Sequence, residues 1–217
     1  MKADQNLAIF DIDGTLFEGS TQEILFGILR KNKVISNYQV VKFYCVYLLY
    51  KVGIINDPVK LRRKAYEGIK GIRKEEIYDY VKDNSYFFES KIPSKSKEMI
   101  KFHRNNGDQI IALSASTDPI INEICRFLKI DEYICTQLEF IENEFTGKFI
   151  SPPPYGEMKN NYIENYLSKN GPFGKVYYYA DDLSDLSALE KVDIPVCVNP
   201  CRRLKKIAIS KKWQIIQ

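Results

Sequence analysis

Leu7-Ala8-Ile9-Phe10-Asp11-Ile12-Asp13-Gly14-Thr15-Leu16 decides the reading of this chain. Leu7 to Phe10 is a short apolar run, suited to a strand buried on both faces. Asp11 and Asp13 stand at its carboxyl end, and Gly14 lets the chain turn sharply. A buried strand that ends in two carboxylates needs a reason, because an unpaired buried charge is costly. One reading is an ordinary Asp-Gly turn with Asp11 as a cap. The other is a metal site with a carboxylate nucleophile at the strand tip, where open α/β sheets place their ligands.

Downstream of this stretch the pattern becomes helical. Ile24, Leu25, Ile28 and Leu29 form one apolar stripe over residues 21–31. Ser36 or Asn37 can cap a second helix running to about Tyr50. Asp57-Pro58 is a good helix start, and Gly71 separates that helix from another over roughly 74–89. No strand signal interrupts these four helices.

From Pro93 onward helices and strands alternate. Strands are expected at 109–113, 132–136, 176–180, 194–198 and 213–216, with helices at 93–105, 119–128, 159–168, 185–191 and 201–212. Residues 138–150 alternate around Glu142-Asn143-Glu144, the pattern of a hairpin. Strands alternating with helices imply a parallel sheet covered on both faces.

Three further places can carry chemistry. Ser114 follows the 109–113 strand beside Ala115, where a hydroxyl and neighbouring N–H groups can approach a phosphate. Lys159 stands at a helix start, a position the helix dipole disfavours, so an anionic partner there makes sense. Asp181, Asp182 and Asp185 follow the 176–180 strand.

These four places, in this order, resemble the four motifs of the haloacid dehalogenase superfamily. The likeness is to its phosphoserine phosphatase-like subfamily IB and covers nearly the whole chain. It implies a Rossmann-like α/β core of residues 1–19 and 92–217, with a small all-helical cap of C1 type at 20–91. It implies a Mg²⁺-dependent phosphomonoester hydrolase in which Asp11 is the nucleophile and forms an aspartyl-phosphate. Asp13 would be the general acid/base. Lys159, Ser114 and the Ala115 backbone would hold the phosphoryl group, and Thr15 would position Asp13. Asp11, the Asp13 carbonyl and Asp181 would ligate the metal, with Asp185 as a further ligand or acting through water. Ala180 replaces the usual Gly before Asp181, and Asp182 sits where Ser or Gly is more common.

The resemblance also bears on the leaving group. In phosphoserine phosphatases a Glu nine residues after the nucleophile pairs with the substrate ammonium. Here that position is Ser20, so free phosphoserine is not the expected substrate. Residues 21–91 carry an excess of Lys and Arg, and Arg62 and Arg63, together with Ser20, are candidate leaving-group contacts. The segment 37–50 is apolar on nearly every side. It is either cap core or a surface for an apolar leaving group, which leaves open a lipid-phosphate phosphatase making peripheral contact with a membrane. A catalytically silent protein that binds a phosphorylated ligand is the alternative of another class.

Composition sets the remaining limits. The 217 residues suffice for one sizeable core or a core with a small insert. A net charge of +4 without a dense basic block does not argue for nucleic acid. Five scattered cysteines form neither a disulfide framework nor a zinc pattern, which fits a reducing compartment and a cytoplasmic location. The polar N-terminus does not read as a signal peptide, and no long uncharged apolar run reads as a membrane span. The single histidine, His103, lies in Lys-Phe-His-Arg and is expected on a surface helix, outside the chemistry.

Overall fold

The computed structural model describes residues 5–39, 41, 45 and 58–217. Six parallel strands form one sheet in the order β3-β2-β1-β6-β7-β8. They are β1 (Leu7–Phe10), β2 (Gln109–Thr117), β3 (Glu132–Thr136), β6 (Val176–Ala180), β7 (Ile194–Val198) and β8 (Gln214–Ile216). A separate antiparallel hairpin joins β4 (Leu138–Ile141) to β5 (Glu144–Phe149).

Strand β1 lies at the centre because all four of its residues are apolar and fully buried. It pairs with β2 through Leu7–Gln109 to Phe10–Ala112, and with β6 through Leu7–Val176 to Phe10–Tyr179. From β1 the chain builds β2 and β3 on one side, then β6, β7 and β8 on the other. The strand order therefore reverses between β1 and β6, the crevice where such sheets bind ligands.

Alternate side chains divide the core into two layers. Leu7, Ile9, Leu113, Tyr178 and Ala180 pack with Ile163 of α6 (Met158–Asn170) and Leu204 of α8 (Arg202–Lys211). Ala8, Phe10, Ala112 and Tyr179 face the other layer. That layer includes α1 (Thr21–Lys31), α2 (Pro58–Glu67), α3 (Lys74–Asp83), α4 (Ser94–Asn105) and α5 (Asp118–Leu128). A one-turn α7 (Leu186–Leu189) follows β6 after a short 3₁₀ turn at Leu183–Asp185. Most of the expected 37–50 helix lies outside the described residues.

The hairpin is bonded to the helical segment rather than to the sheet. Gly71 N–H donates to the Phe145 carbonyl (2.8 Å), Phe145 N–H to Ile72 (2.9 Å) and Lys74 N–H to Asn143 (2.9 Å). The two passages between sheet and helices are joined by Glu18 N–H donating to Lys91 O at 2.7 Å.

Three expectations change. Strand β2 runs on to Thr117, so Ser114 lies within it rather than after it. The long helix expected over 74–89 ends at Asp83 and continues as two 3₁₀ turns, Ser85–Phe87 and Glu89–Lys91. His103 is fully buried instead of lying on the surface. Its Nδ1 pairs with Asp108 Oδ2 and its Nε2 with the Tyr179 hydroxyl, both at 2.7 Å. Burial holds the imidazole pKa below its usual value, against the opposing pull of Asp108. Among the described residues no helix is long and apolar enough to cross a membrane.

Candidate active site

The tips of β1 and β6 bring the acidic residues together. Asp11 N–H donates to the Tyr179 carbonyl (2.9 Å), which fixes the two strand ends side by side. Lys159, in the first turn of α6, reaches back between them. Its Nζ lies 2.7 Å from Asp11 Oδ1 and 2.6 Å from Asp185 Oδ1. All three side chains are buried. The Tyr178 hydroxyl donates to the same Asp185 oxygen at 2.9 Å.

Electrostatics follow from that burial. Removal from water raises the Asp11 carboxyl above its ordinary range; the Lys159 ammonium opposes this, and Asp185 and Asp181 reinforce it. Burial alone would lower Lys159, but Asp11 and Asp185 hold its ammonium well above the ordinary value. Asp181 is pushed up to about 7, first by burial and then by Asp182 and Asp185.

One carboxylate oxygen from each of Asp11, Asp181 and Asp185 lies within 4.8 Å of the others. The donor set is all oxygen, which suits a hard divalent cation such as Mg²⁺. Three carboxylates against one ammonium leave an excess of buried negative charge, which such a cation would neutralise. Gly14 makes room for the cluster: its φ is +78°, and a Cβ there would fall 2.1 Å from Asp181 Oδ2. The residues present therefore fit the expected ion.

Asp13 is held apart from this cluster. Its Oδ1 accepts from Thr21 N–H (2.8 Å), and its Oδ2 from the hydroxyls of Thr21 and Ser116 (both 2.9 Å). The two hydroxyls also contact each other. Thr21 opens α1, so Asp13 faces a helix N-terminus, where a carboxylate is favoured. Thr15, expected to position Asp13, instead directs its hydroxyl to Asp181 Oδ1 at 3.5 Å.

Ser114 is buried, and its Oγ accepts from the Ser116 N–H at 3.1 Å. The ladder between β2 and β3 shifts register from Leu113 to Thr117, which takes this segment out of regular pairing. Ala115 is part-buried, and its carbonyl accepts from the Thr136 hydroxyl (2.7 Å).

Of the candidate leaving-group residues, Ser20 and Arg63 have described side chains, and both lie in other surroundings. Ser20 is the N-cap of α1, its hydroxyl accepting from Glu23 N–H at 3.3 Å. Arg63 is exposed on α2, and the Arg62 side chain lies outside the described residues. Asp182 has a local role, capping the 3₁₀ turn by accepting from Ser184 N–H at 3.0 Å.

Thr21, Ser116 and Tyr178 join the site although the sequence does not single them out. Ser116 and Thr21 carry a faint signal, being small hydroxyl residues close to Ser114 and Ser20. Tyr178 carries none, because a tyrosine in an apolar strand reads as core.

Comparison with known proteins identifies the family. The haloacid dehalogenase-like hydrolase family matches residues 8–190. The histidinol-phosphatase of Neisseria meningitidis serogroup C (strain 8013) is 29% identical over 225 residues and 98% of both chains. Phosphoserine phosphatase SerB1 of Mycobacterium tuberculosis (strain ATCC 25618 / H37Rv) is 26% identical over 96% of this chain and 69% of its own length. A crystal structure of a Bordetella pertussis Tohama I protein of unknown function superposes with a TM-score of 0.90, at 20% identity and 99% coverage of both chains. The chain thus belongs to the haloacid dehalogenase-like hydrolase family and resembles its phosphatases.

Proposed function

We propose that this protein is a Mg²⁺-dependent phosphomonoester hydrolase that works through an aspartyl-phosphate on Asp11. The observation that carries the reading is the placement of Lys159 Nζ between Asp11 and Asp185, with Asp181 alongside. That arrangement supplies a carboxylate nucleophile, a fixed cation and an all-oxygen pocket for a divalent ion.

In this reading the Asp11 carboxylate attacks phosphorus in line, and the bond to the leaving oxygen breaks. Asp13 gives that oxygen a proton, then takes one from the water that hydrolyses the acyl phosphate. Lys159, the Ser114 hydroxyl and nearby N–H groups offset charge on the phosphoryl oxygens. Bound between Asp11, the Asp13 carbonyl, Asp181 and Asp185, Mg²⁺ would neutralise the phosphoryl charge and favour the ionised carboxylates. In the same reading residues 1–19 and 92–217 form the catalytic core, and 20–91 form a cap over it.

The substrate is proposed to be a small phosphomonoester other than free phosphoserine. Ser20 stands where a carboxylate would be needed for the phosphoserine ammonium, and its hydroxyl is engaged in capping α1. The full-length likeness to a histidinol-phosphatase makes histidinol phosphate the first ester to test. The experiment is turnover of a panel of phosphomonoesters with Mg²⁺ and with chelator, together with intact-mass analysis of quenched reactions. Mg²⁺-dependent turnover and a phosphorylated species that disappears in Asp11→Asn are expected. Full activity in chelator, or a phosphorylated Asp11→Asn, would refute the reading.

A further inference from the structure

Strand β6 carries three consecutive tyrosines, Tyr177, Tyr178 and Tyr179, and they divide between its two faces. Tyr177 and Tyr179 lie beside the His103 ring, and the Tyr179 hydroxyl meets His103 Nε2. Tyr178 points the other way. It is fully buried among Leu7, Ile9, Ala180 and Ile163, and its hydroxyl ends at the acidic cluster. An apolar layer would take a phenylalanine there with less desolvation cost, because a buried hydroxyl must find a partner. The partner here is Asp185 Oδ1, at 2.9 Å.

The choice of oxygen matters. Lys159 Nζ binds the same Oδ1 at 2.6 Å and sits 5.8 Å from the centre of the Tyr178 ring. Both donors therefore fall on one oxygen of the Asp185 carboxylate. Two donors on one oxygen fix the rotation of a carboxylate more firmly than one does. The aromatic ring also forms a wall beside the ammonium.

We propose that Tyr178 is a positioning residue: through Asp185 it sets the carboxylate edge offered to the metal and keeps Lys159 on Asp11. The proposal rests on the Mg²⁺ reading above, and Tyr178 lies outside the four family motifs. It acts through Asp185, so removing its hydroxyl should weaken metal binding without removing a ligand. Losing an outer partner of a metal ligand typically weakens affinity by roughly 10- to 100-fold.

The test is calorimetric titration of Mg²⁺ into the wild-type chain, Tyr178→Phe, Asp185→Asn, the double variant and Tyr179→Phe, with metal-free melting temperatures for each. Tyr178→Phe is expected to bind Mg²⁺ roughly 10-fold more weakly, with its metal-free melting temperature lowered by no more than about 4 °C. Tyr179→Phe loses an equally structural hydroxyl on the opposite face. It should lower the melting temperature while leaving Mg²⁺ affinity within about twofold of wild type, since the lost hydroxyl pairs with His103 and not with a proposed ligand. The double variant should bind no more weakly than Asp185→Asn alone, because the two groups act as one unit.

Wild-type affinity in Tyr178→Phe would overturn the proposal. So would a double variant in which the two losses multiply, or a Tyr178→Phe protein that fails to fold while Tyr179→Phe folds. A wild type that binds no Mg²⁺ would instead remove the metal reading itself, and this proposal with it.

Discussion

The Ser116 hydroxyl donates to Asp13 Oδ2 at 2.9 Å, while the N–H of the same residue donates to Ser114 Oγ at 3.1 Å. One serine thus ties the proposed acid/base to the proposed phosphate contact. Ser116→Ala should leave the nucleophile and cation untouched but loosen Asp13. The loss should depend on how much the leaving group needs a proton. We expect kcat/KM to fall about 10-fold or more for an alkyl phosphate, and much less for p-nitrophenyl phosphate, whose leaving group departs as a stable anion. Equal losses on the two esters would show that Ser116 does not act on proton transfer.

Gly14 is the second point of fragility. Its φ of +78° already disfavours any side chain, and the nearest atom to a Cβ would be Asp181 Oδ2 at 2.1 Å. Gly14→Ala must therefore displace Asp181 or the turn. The backbone strain alone costs about 1–2 kcal/mol. Activity should fall about 100-fold or more, because a displacement of about 1 Å at such a site has that effect. Near-normal turnover in Gly14→Ala would mean that Asp181 can move freely, and so does not hold the ion.

Metal binding should depend on pH. The Asp181 carboxyl is raised from 3.8 to about 7 by burial and by Asp182 and Asp185. The folded protein therefore holds this proton to higher pH than the unfolded chain does. Stability from the protonated form is complete below the unfolded value and is lost as pH rises through the folded one. Mg²⁺ needs the ionised form, so proton and metal compete below neutrality. The melting-temperature increase caused by Mg²⁺ should be smaller near pH 5.5 than near pH 8, because the apparent affinity scales with the ionised fraction and the stabilisation with its logarithm. An equal increase at both would exclude Asp181 as a ligand.

Ser20→Ala separates the two readings of that residue. As the N-cap of α1, Ser20 contributes about 1 kcal/mol, and its loss should lower the melting temperature by about 2–4 °C. As a leaving-group contact it would instead change KM. We expect the melting effect, with relative kcat/KM across an ester panel unchanged. A shift in ester preference without thermal loss would return Ser20 to the substrate site.

The strand tips are legible in the sequence because apolar runs that stop at Asp11 and Asp181 mark where buried backbone meets a polar crevice. Asp11 and Asp181 meet because register fixes where the parallel strands β1 and β6 end. Hydroxyl partners are not legible. Whether Ser116 reaches Asp13 depends on how far β2 continues and where α1 begins, and neither is set by local pattern. Proximity in sequence pairs Thr15 with Asp13, but Gly14 turns the chain and carries that hydroxyl to Asp181. The Lys, Phe and Arg neighbours of His103 make it read as exposed. Those side chains are themselves exposed on α4, while Asp108 and Tyr179 supply the partners that make the burial of His103 tolerable.

The bonding of hairpin to helices limits how such a protein can be recombined. Phe145 gives its N–H to Ile72, and its carbonyl accepts from Gly71; Arg73 and Glu144 extend the pairing as an isolated bridge. A chimera that exchanged residues 20–91 with a relative would leave those peptide groups facing a foreign backbone. The inheritable unit is therefore discontinuous: the helical segment and residues 138–149 must travel together, although β2 and β3 of the sheet lie between them in sequence.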